Sequence, residues 1–175
     1  MKQVAIVIYR AIGAGIAIGV MEMLADIAGE PLSRVPFVTS IVLAMALPDA
    51  EPAQPRAIVG GHMASSVAGL LVVWWLGTGE LSNALAVGLA TCAMLAGRML
   101  HPPAGIDAFL IASYGLHWTW AVSPVLVGAL LLSAFSYLWR AGEHRLFDAA
   151  DRAAAPQLWS RERIRALTRR WQARP

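Results

Sequence analysis

The side chains of this chain best suited to exchanging protons or holding an anion lie in three short stretches. PFVTS (Pro36 to Ser40) offers the hydroxyls of Thr39 and Ser40. PRAIVGGH (Pro55 to His62) carries Arg56 and His62, and HPPAGID brings His101, Pro103, Gly105 and Asp107. An imidazole with an ordinary pKa of about 6.5 takes up or passes a proton near neutrality. A carboxylate such as Asp107 binds or relays a proton or cation, and Arg56 supplies positive charge to a pathway. Proline suits the first helical turn, where free N–H groups and the helix dipole attract anions. Helices opened by Pro36 and Pro103 would aim two such starts at one solute. Thr39 and Ser40 would add hydroxyl donors, and Gly105 would let a ligand approach the backbone.

Each of these residues also has a plainer role. His101 satisfies backbone carbonyls at a helix break, and His62 bonds one helix to another. Gly60 and Gly61 permit close helix contact, and Arg56 anchors topology. Glu22 and Asp26 share a face of the first helix and fit an aqueous interface, while His117 and His144 look peripheral. The histidines and carboxylates lack the spacing of a metal motif such as HExxH, and Cys92 is the single cysteine. No metal, cofactor or enzymatic activity is expected.

The elements that hold these residues are membrane helices. Of the 175 residues, 58% are hydrophobic and 14% charged, with a mean hydropathy of +0.58. A soluble domain of this length has a polar surface that this composition does not supply. Apolar blocks at residues 4–28, 57–76, 81–100 and 121–139 approach the roughly 20 residues a helix needs to cross the hydrocarbon core. Lys2 and the apolar run after it have the outline of a secretory signal, but Arg10 interrupts the run and a retained first helix is expected. Two further runs, Pro36 to Pro48 and His101 to Gly115, are proline-led and too short to cross alone.

A long, a short and a long segment therefore recur in order, over 4–76 and again over 81–140. The expected fold is an all-α membrane protein of four long transmembrane helices plus two short proline-led half-helices, in two three-segment repeats. Paired short segments in corresponding halves point to a transporter built from repeats. Re-entrant short segments give four crossings. Short segments that cross with an extended lead-in give six, with the halves inverted. Six crossings put Arg56 and Arg98 inside and GTGELSN and GLHWTW outside, in better accord with charge bias, although Arg34 is left outside. Trp74, Trp75, Trp118, Trp120 and Trp139 then fall near helix ends, as an aromatic belt. Gly15 and Gly19 stand at GxxxG spacing. Ala84, Gly88, Cys92 and Ala96 form a small-residue stripe for packing within the protomer or between copies.

Nine of the 14 basic residues are arginines from Arg140 onward, whereas five basic and seven acidic residues precede them. The excess places the C-terminus in the cytoplasm, and Lys2 and Arg10 place the N-terminus there too. The chain divides into a transmembrane domain, 1–140, and a basic cytoplasmic tail, 141–175. In the tail, Ile164, Leu167 and Trp171 share a helical face suited to an anionic leaflet. Nothing supplies a nucleic-acid recognition fold.

HPP with its flanking AG, the earlier QPR, the GGH and the PFVTS start occur in the order found in HPP-family membrane proteins, which the chain resembles over about residues 10–140. The resemblance implies an integral membrane protein of transporter type, with nitrite transport assigned to some chloroplast and cyanobacterial relatives. Val38 stands where glycine is usual, Ala57 where asparagine is common, and Asp107 where a small residue is usual. A carboxylate there would repel an anion. The expected function is transport or facilitated passage of a small inorganic ion, with an oxyanion such as nitrite as the candidate, across a bacterial inner membrane. The alternative is a non-transporting subunit that recruits a partner through the basic tail. About 140 membrane residues give few helices to enclose a polar path, so a homo-oligomer is expected.

Overall fold

The computed structural model describes residues 2–28 and 35–147, and within them every regular element is helical. Helix α1 spans Lys2–Ala28. The 12-residue α2 spans Val35–Ala46 and stops just before Pro48, which has no N–H to continue it. A short 3₁₀ turn, Glu51–Ala53, leads to α3, Pro55–Leu76, with proline at its first position. Gly77 and Gly79, at φ +73° and +148°, turn the chain into the 17-residue α4, Glu80–Ala96.

After α4 the expected proline start takes a different form. Pro102–Ala104 make a separate 3₁₀ turn, and the 10-residue α5 begins only at Gly105 and runs to Tyr114. The ring of Pro102 keeps His101 in extended backbone, φ −129° and ψ 90°, so the helical path begins only at Pro102. Gly115 closes α5 in the left-handed conformation, φ +62°. Finally α6, Trp118–Leu146, is interrupted near Ser123 and Pro124.

Three helices, α1, α3 and α6, are long and apolar enough to cross a membrane, while α4 falls short by length. The outer faces of α1, α4 and α6 carry exposed Val7, Ile12, Leu81, Leu85, Leu130 and Leu131, a surface suited to lipid. Of the tryptophans expected in a belt, Trp74, Trp75 and Trp118 are exposed near helix ends. Trp120 is instead buried, and Trp139 stacks between Tyr9 and Phe135. The tail beyond Phe147, with Ile164, Leu167 and Trp171, lies outside the described residues, and α6 itself continues past Arg140.

Contacts fix which helix ends are neighbours. Arg10 near the start of α1 bonds the Ala46 carbonyl at the end of α2 and pairs with Glu143 near the end of α6. Arg140 of α6 reaches Asp49 in the α2–α3 turn, and Arg56 at the start of α3 bonds the Gly97 carbonyl after α4. All these ends share one pole of the bundle. At the other pole, a Cβ on Gly115 after α5 would sit 3.2 Å from Thr78 of the α3–α4 turn, and Ser113 of α5 donates to Asn83 of α4 at 3.2 Å.

The two short helices thus end at opposite poles. Their lengths, about 18 and 15 Å at 1.5 Å per residue, are near half a hydrocarbon core, and α2 packs against the proline turn that opens α5. Both starts lie inside the bundle. Around them the core is divided. Phe37, Ile41, Ile58, Ala129 and Leu132 pack one side, and alanines 68, 86, 90, 104, 108 and 112 the other.

Small residues permit the close approach on the second side. A Cβ on Gly69 would lie 3.0 Å from the Ala108 Cα. The stripe Ala84, Gly88, Cys92 and Ala96 is exposed, as are Gly15 and Gly19. Within the protomer, Ser82, Ala86, Ala90 and Met94 are the buried residues of α4.

Candidate functional site

Four polar side chains converge where the short helices start. Ser40 comes from the second turn of α2, His62 from the second turn of α3, His101 from the residue before the proline turn, and Asp107 from the first turn of α5. All four are fully buried. Asp107 Oδ2 lies 2.6 Å from His62 Nδ1, and His62 Nε2 lies 3.0 Å from Ser40 Oγ. His101 Nε2 lies 2.8 Å from the same hydroxyl, and its Nδ1 is 2.6 Å from the Pro52 carbonyl oxygen. The result is one chain of hydrogen bonds, Asp107–His62–Ser40–His101–Pro52.

One end of this chain fixes its polarity. A carbonyl oxygen only accepts, so His101 Nδ1 carries hydrogen and donates to Pro52. Ser40 has a single hydroxyl hydrogen and three candidate acceptors, the two Nε2 atoms and the Pro36 carbonyl oxygen at 3.2 Å. At the other end, Asp107 and His62 meet as a fully buried pair. A buried pair of this kind is tolerable while it shares a proton and has no net charge.

The surroundings hold the chain in place. The Phe37 ring sits 4.8 Å from that of His62. The two imidazole centroids are 5.1 Å apart. A Cβ on Gly61 would lie 2.6 Å from the His101 Cβ, so only glycine leaves room for that imidazole. Ser65 Oγ accepts the Ala108 amide hydrogen at 3.1 Å, which ties α5 to α3. Asp107 Oδ1 and Ser66 Oγ are buried with no hydrogen-bond partner. In a protein interior that is costly enough to ask for a role.

Of the residues singled out by sequence, Ser40, His62, His101 and Asp107 are brought together, with the Pro36 carbonyl beside them. Thr39 is exposed on the outer face of α2. Arg56 is exposed and donates to the Gly97 carbonyl at 3.1 Å, where its charge complements the C-terminus of α4. Pro103 and Gly105 are half-buried, and the Gly105 amide is directed at the Pro102 and Pro103 carbonyls. With the Ala108 amide also taken, the α5 start keeps these N–H groups for the protein itself.

Sequence reasoning passed over Ser65 as well as the polar cluster at the near pole. There Arg10 makes two 2.9 Å bonds to Glu143, beside Arg140 with Asp49. Glu143 falls in sequence within the basic tail assigned after residue 140, and its partner Arg10 lies 133 residues away. Among the described residues no group of three or more His, Cys, Asp or Glu is placed to hold a metal ion.

Residues 1–146 match the family described as HPP, transmembrane region. Two curated proteins of Dictyostelium discoideum, both named only as transmembrane proteins, are similar to the chain. One is 34% identical over 105 residues, 55% of this chain and 36% of its own length. The other is 33% identical over 104 residues, 55% of this chain and 33% of its own. The aligned region thus spans about a third of each relative. No solved structure matches significantly.

Proposed function

The chain belongs to the HPP transmembrane family, and on that footing we propose that it is a transporter or facilitator of a small inorganic ion, with an oxyanion such as nitrite as the candidate substrate. One observation carries the reading: the starts of two half-length helices meet inside the bundle around a buried chain of ionisable side chains. Ionisable groups at membrane depth are expensive and mark ion or proton pathways. Broken or short helices that meet near the midplane are the usual frame of such a site.

The opposite directions of α2 and α5 favour six crossings with inverted halves over four crossings with two re-entrant segments. In that arrangement both chain ends are cytoplasmic, and Arg10, Arg56, Arg98 and Arg140 lie on the cytoplasmic side. Exposed small-residue faces on α1 and α4 suit contact with a second copy, so a homo-oligomer belongs to the proposal. The repulsion expected between Asp107 and an anion is relieved by His62, because the pair carries no net charge while it holds one shared proton. A proton on His101 would then attract an anion.

A second reading has its own observation. Asp107, His62 and Ser40 are ordered like a Ser–His–Asp hydrolase triad, at 2.6 and 3.0 Å. Against it, Ser40 is fully buried on a helix, and a second histidine holds its hydroxyl. A serine-directed fluorophosphonate separates the two, since stoichiometric labelling of Ser40 favours the hydrolase. A non-transporting subunit that recruits a partner through the basic tail, residues 141–175, is the remaining alternative. The deciding experiment is nitrite entry into liposomes holding the purified full-length chain. Saturable entry that His101→Gln removes, in a protein that stays folded, supports transport. Entry no faster than in protein-free liposomes rejects it.

A further inference from the structure

We infer that the buried chain is a two-position proton wire in which Ser40 passes a proton between the Asp107–His62 pair and His101, making the proton the ion that travels with the substrate. The inference rests on the transport reading for its role in coupling, while the wire itself rests on the geometry alone.

The argument is a count of hydrogens. His101 Nδ1 always donates to the Pro52 carbonyl, 2.6 Å away. While His101 is neutral, its Nε2 accepts the Ser40 hydroxyl hydrogen, and Ser40 Oγ accepts from His62 Nε2–H. His62 Nδ1 and Asp107 Oδ2 then share one proton. In the second position the Ser40 hydroxyl hydrogen has crossed to His101 Nε2. Ser40 has taken the hydrogen of His62 Nε2 and donates back to it, and His62 Nδ1–H donates to an ionised Asp107.

The step between them breaks His62 Nε2–H and the original Ser40 O–H, and forms a new Ser40 O–H and His101 Nε2–H. No electrons change hands, the number of protons is the same, and every link in the chain keeps a donor and an acceptor. Donor–acceptor distances of 3.0 and 2.8 Å across Ser40 suit both transfers.

An added proton also has a place. If the Ser40 hydroxyl turns to the Pro36 carbonyl, 3.2 Å away, both Nε2 atoms donate to Ser40 Oγ. His101 is then cationic while the Asp107–His62 pair stays neutral. The wire has one end in the deep interior, where Asp107 Oδ1 is unpartnered. The other lies beside Pro52, in the turn at the pole that carries Arg10 and Arg140. Among the described residues no further charged side chain is buried against it. α2 and α3 contribute Ser40 and His62 to it, with the neutral hydroxyls of Ser65 and Ser66 about one turn further along α3, and Glu51, Arg56 and Arg98 on the adjacent turns are exposed. On α6, Glu143 pairs with Arg10 and Arg140 with Asp49, both near the same pole.

Two measurements on the full-length protein test this. In ¹⁵N-histidine NMR of the reconstituted protein, the Nε2 signals of His62 and His101 should move together through one shared titration, with His101 Nδ1 protonated throughout. Ser40→Ala should split them into two independent titrations. Independent titration in the unmodified protein overturns the wire whether or not nitrite is transported. In liposomes with a trapped pH-sensitive dye, nitrite entry driven by a nitrite gradient should bring in about one proton per ion, and Ser40→Ala should slow that coupled entry at least tenfold. Nitrite entry without proton uptake overturns the coupling while the transport reading stands. Absence of nitrite entry in the unmodified protein rejects the transport reading and leaves the wire to the NMR result.

Discussion

Gly61→Ala is the smallest change that presses on the buried chain. The added methyl carbon would lie 2.6 Å from His101 Cβ and 3.2 Å from the Met99 carbonyl oxygen. Carbon atoms in contact prefer about 3.5–4.0 Å, so the overlap with His101 is about 1 Å. Neither neighbour yields cheaply, because one is a Cβ fixed to the main chain and the other is main chain. Overpacking of this kind costs about 1–3 kcal/mol, and the fixed neighbours put this site in the upper part of that range.

Alanine also gains roughly 0.5–1 kcal/mol over glycine in any helix interior, so a matched control is needed. Gly15→Ala is that control: it is also helical, a Cβ there meets nothing within 4 Å in the protomer, and the two variants are compared in the same oligomeric state so that a contact between copies does not enter. The intrinsic gain cancels between the two variants. The difference between them should be about 2–3 kcal/mol, or roughly 4–12 °C in the unfolding midpoint for a chain of this size. Thermal unfolding of the full-length protein in mild detergent measures it. A Gly61→Ala midpoint equal to that of Gly15→Ala refutes the packing of α3 against His101.

Phe37→Ala should destabilise by about 3–5 kcal/mol, since the ring is buried between Gly128 and His62; a loss in detergent unfolding below about 1 kcal/mol contradicts that placement. Arg10→Ala and Glu143→Ala should show a coupling of about 1–2 kcal/mol in a double-mutant cycle, because the pair makes two bonds across 133 residues; additive effects mean that the contact is not formed. In a Cys92→Ala background, Thr78→Cys and His117→Cys should react with an impermeant maleimide from outside intact cells, and Glu51→Cys and Arg98→Cys only after permeabilisation. Outside reaction at Glu51→Cys and Arg98→Cys but not Thr78→Cys supports the four-crossing arrangement instead.

The membrane class and the two short helices were legible because they depend on apolar length and proline position, which a sequence states outright. His62, His101 and Asp107 were legible because ionisable groups are rare in such stretches. What a sequence like this withholds is which way a residue faces. In a soluble helix, polar residues mark the outer face, but here lipid and core are both apolar, so the pattern that separates faces is weak. Thr39 and Ser40 are neighbours with equivalent chemistry, yet Ser40 joins two histidines and Thr39 faces outward. The small-residue stripe on α4 left its partner open for the same reason: Ala86 and Ala90 meet the protein core, while Ala84 and Gly88 face outward. The turn made by Pro102 and Pro103 was readable as a helix start but not as a separate 3₁₀ turn, because proline at a first helical position marks where a helical path begins and not whether it is 3₁₀ or α. Pairings such as Arg56 with Gly97 or Arg10 with Glu143 come from tertiary contacts, for which nearby sequence holds no signal.

Nitrite entry into sealed liposomes, followed together with internal pH, decides whether these buried groups form a transport pathway. The full-length protein should give saturable entry with proton uptake, and Ser40→Ala, His101→Gln and Asp107→Asn should each slow it at least tenfold while the fold is retained. Entry at the rate of empty liposomes, or entry unchanged in all three variants, would mean that the polar chain between α2 and α5 carries no substrate.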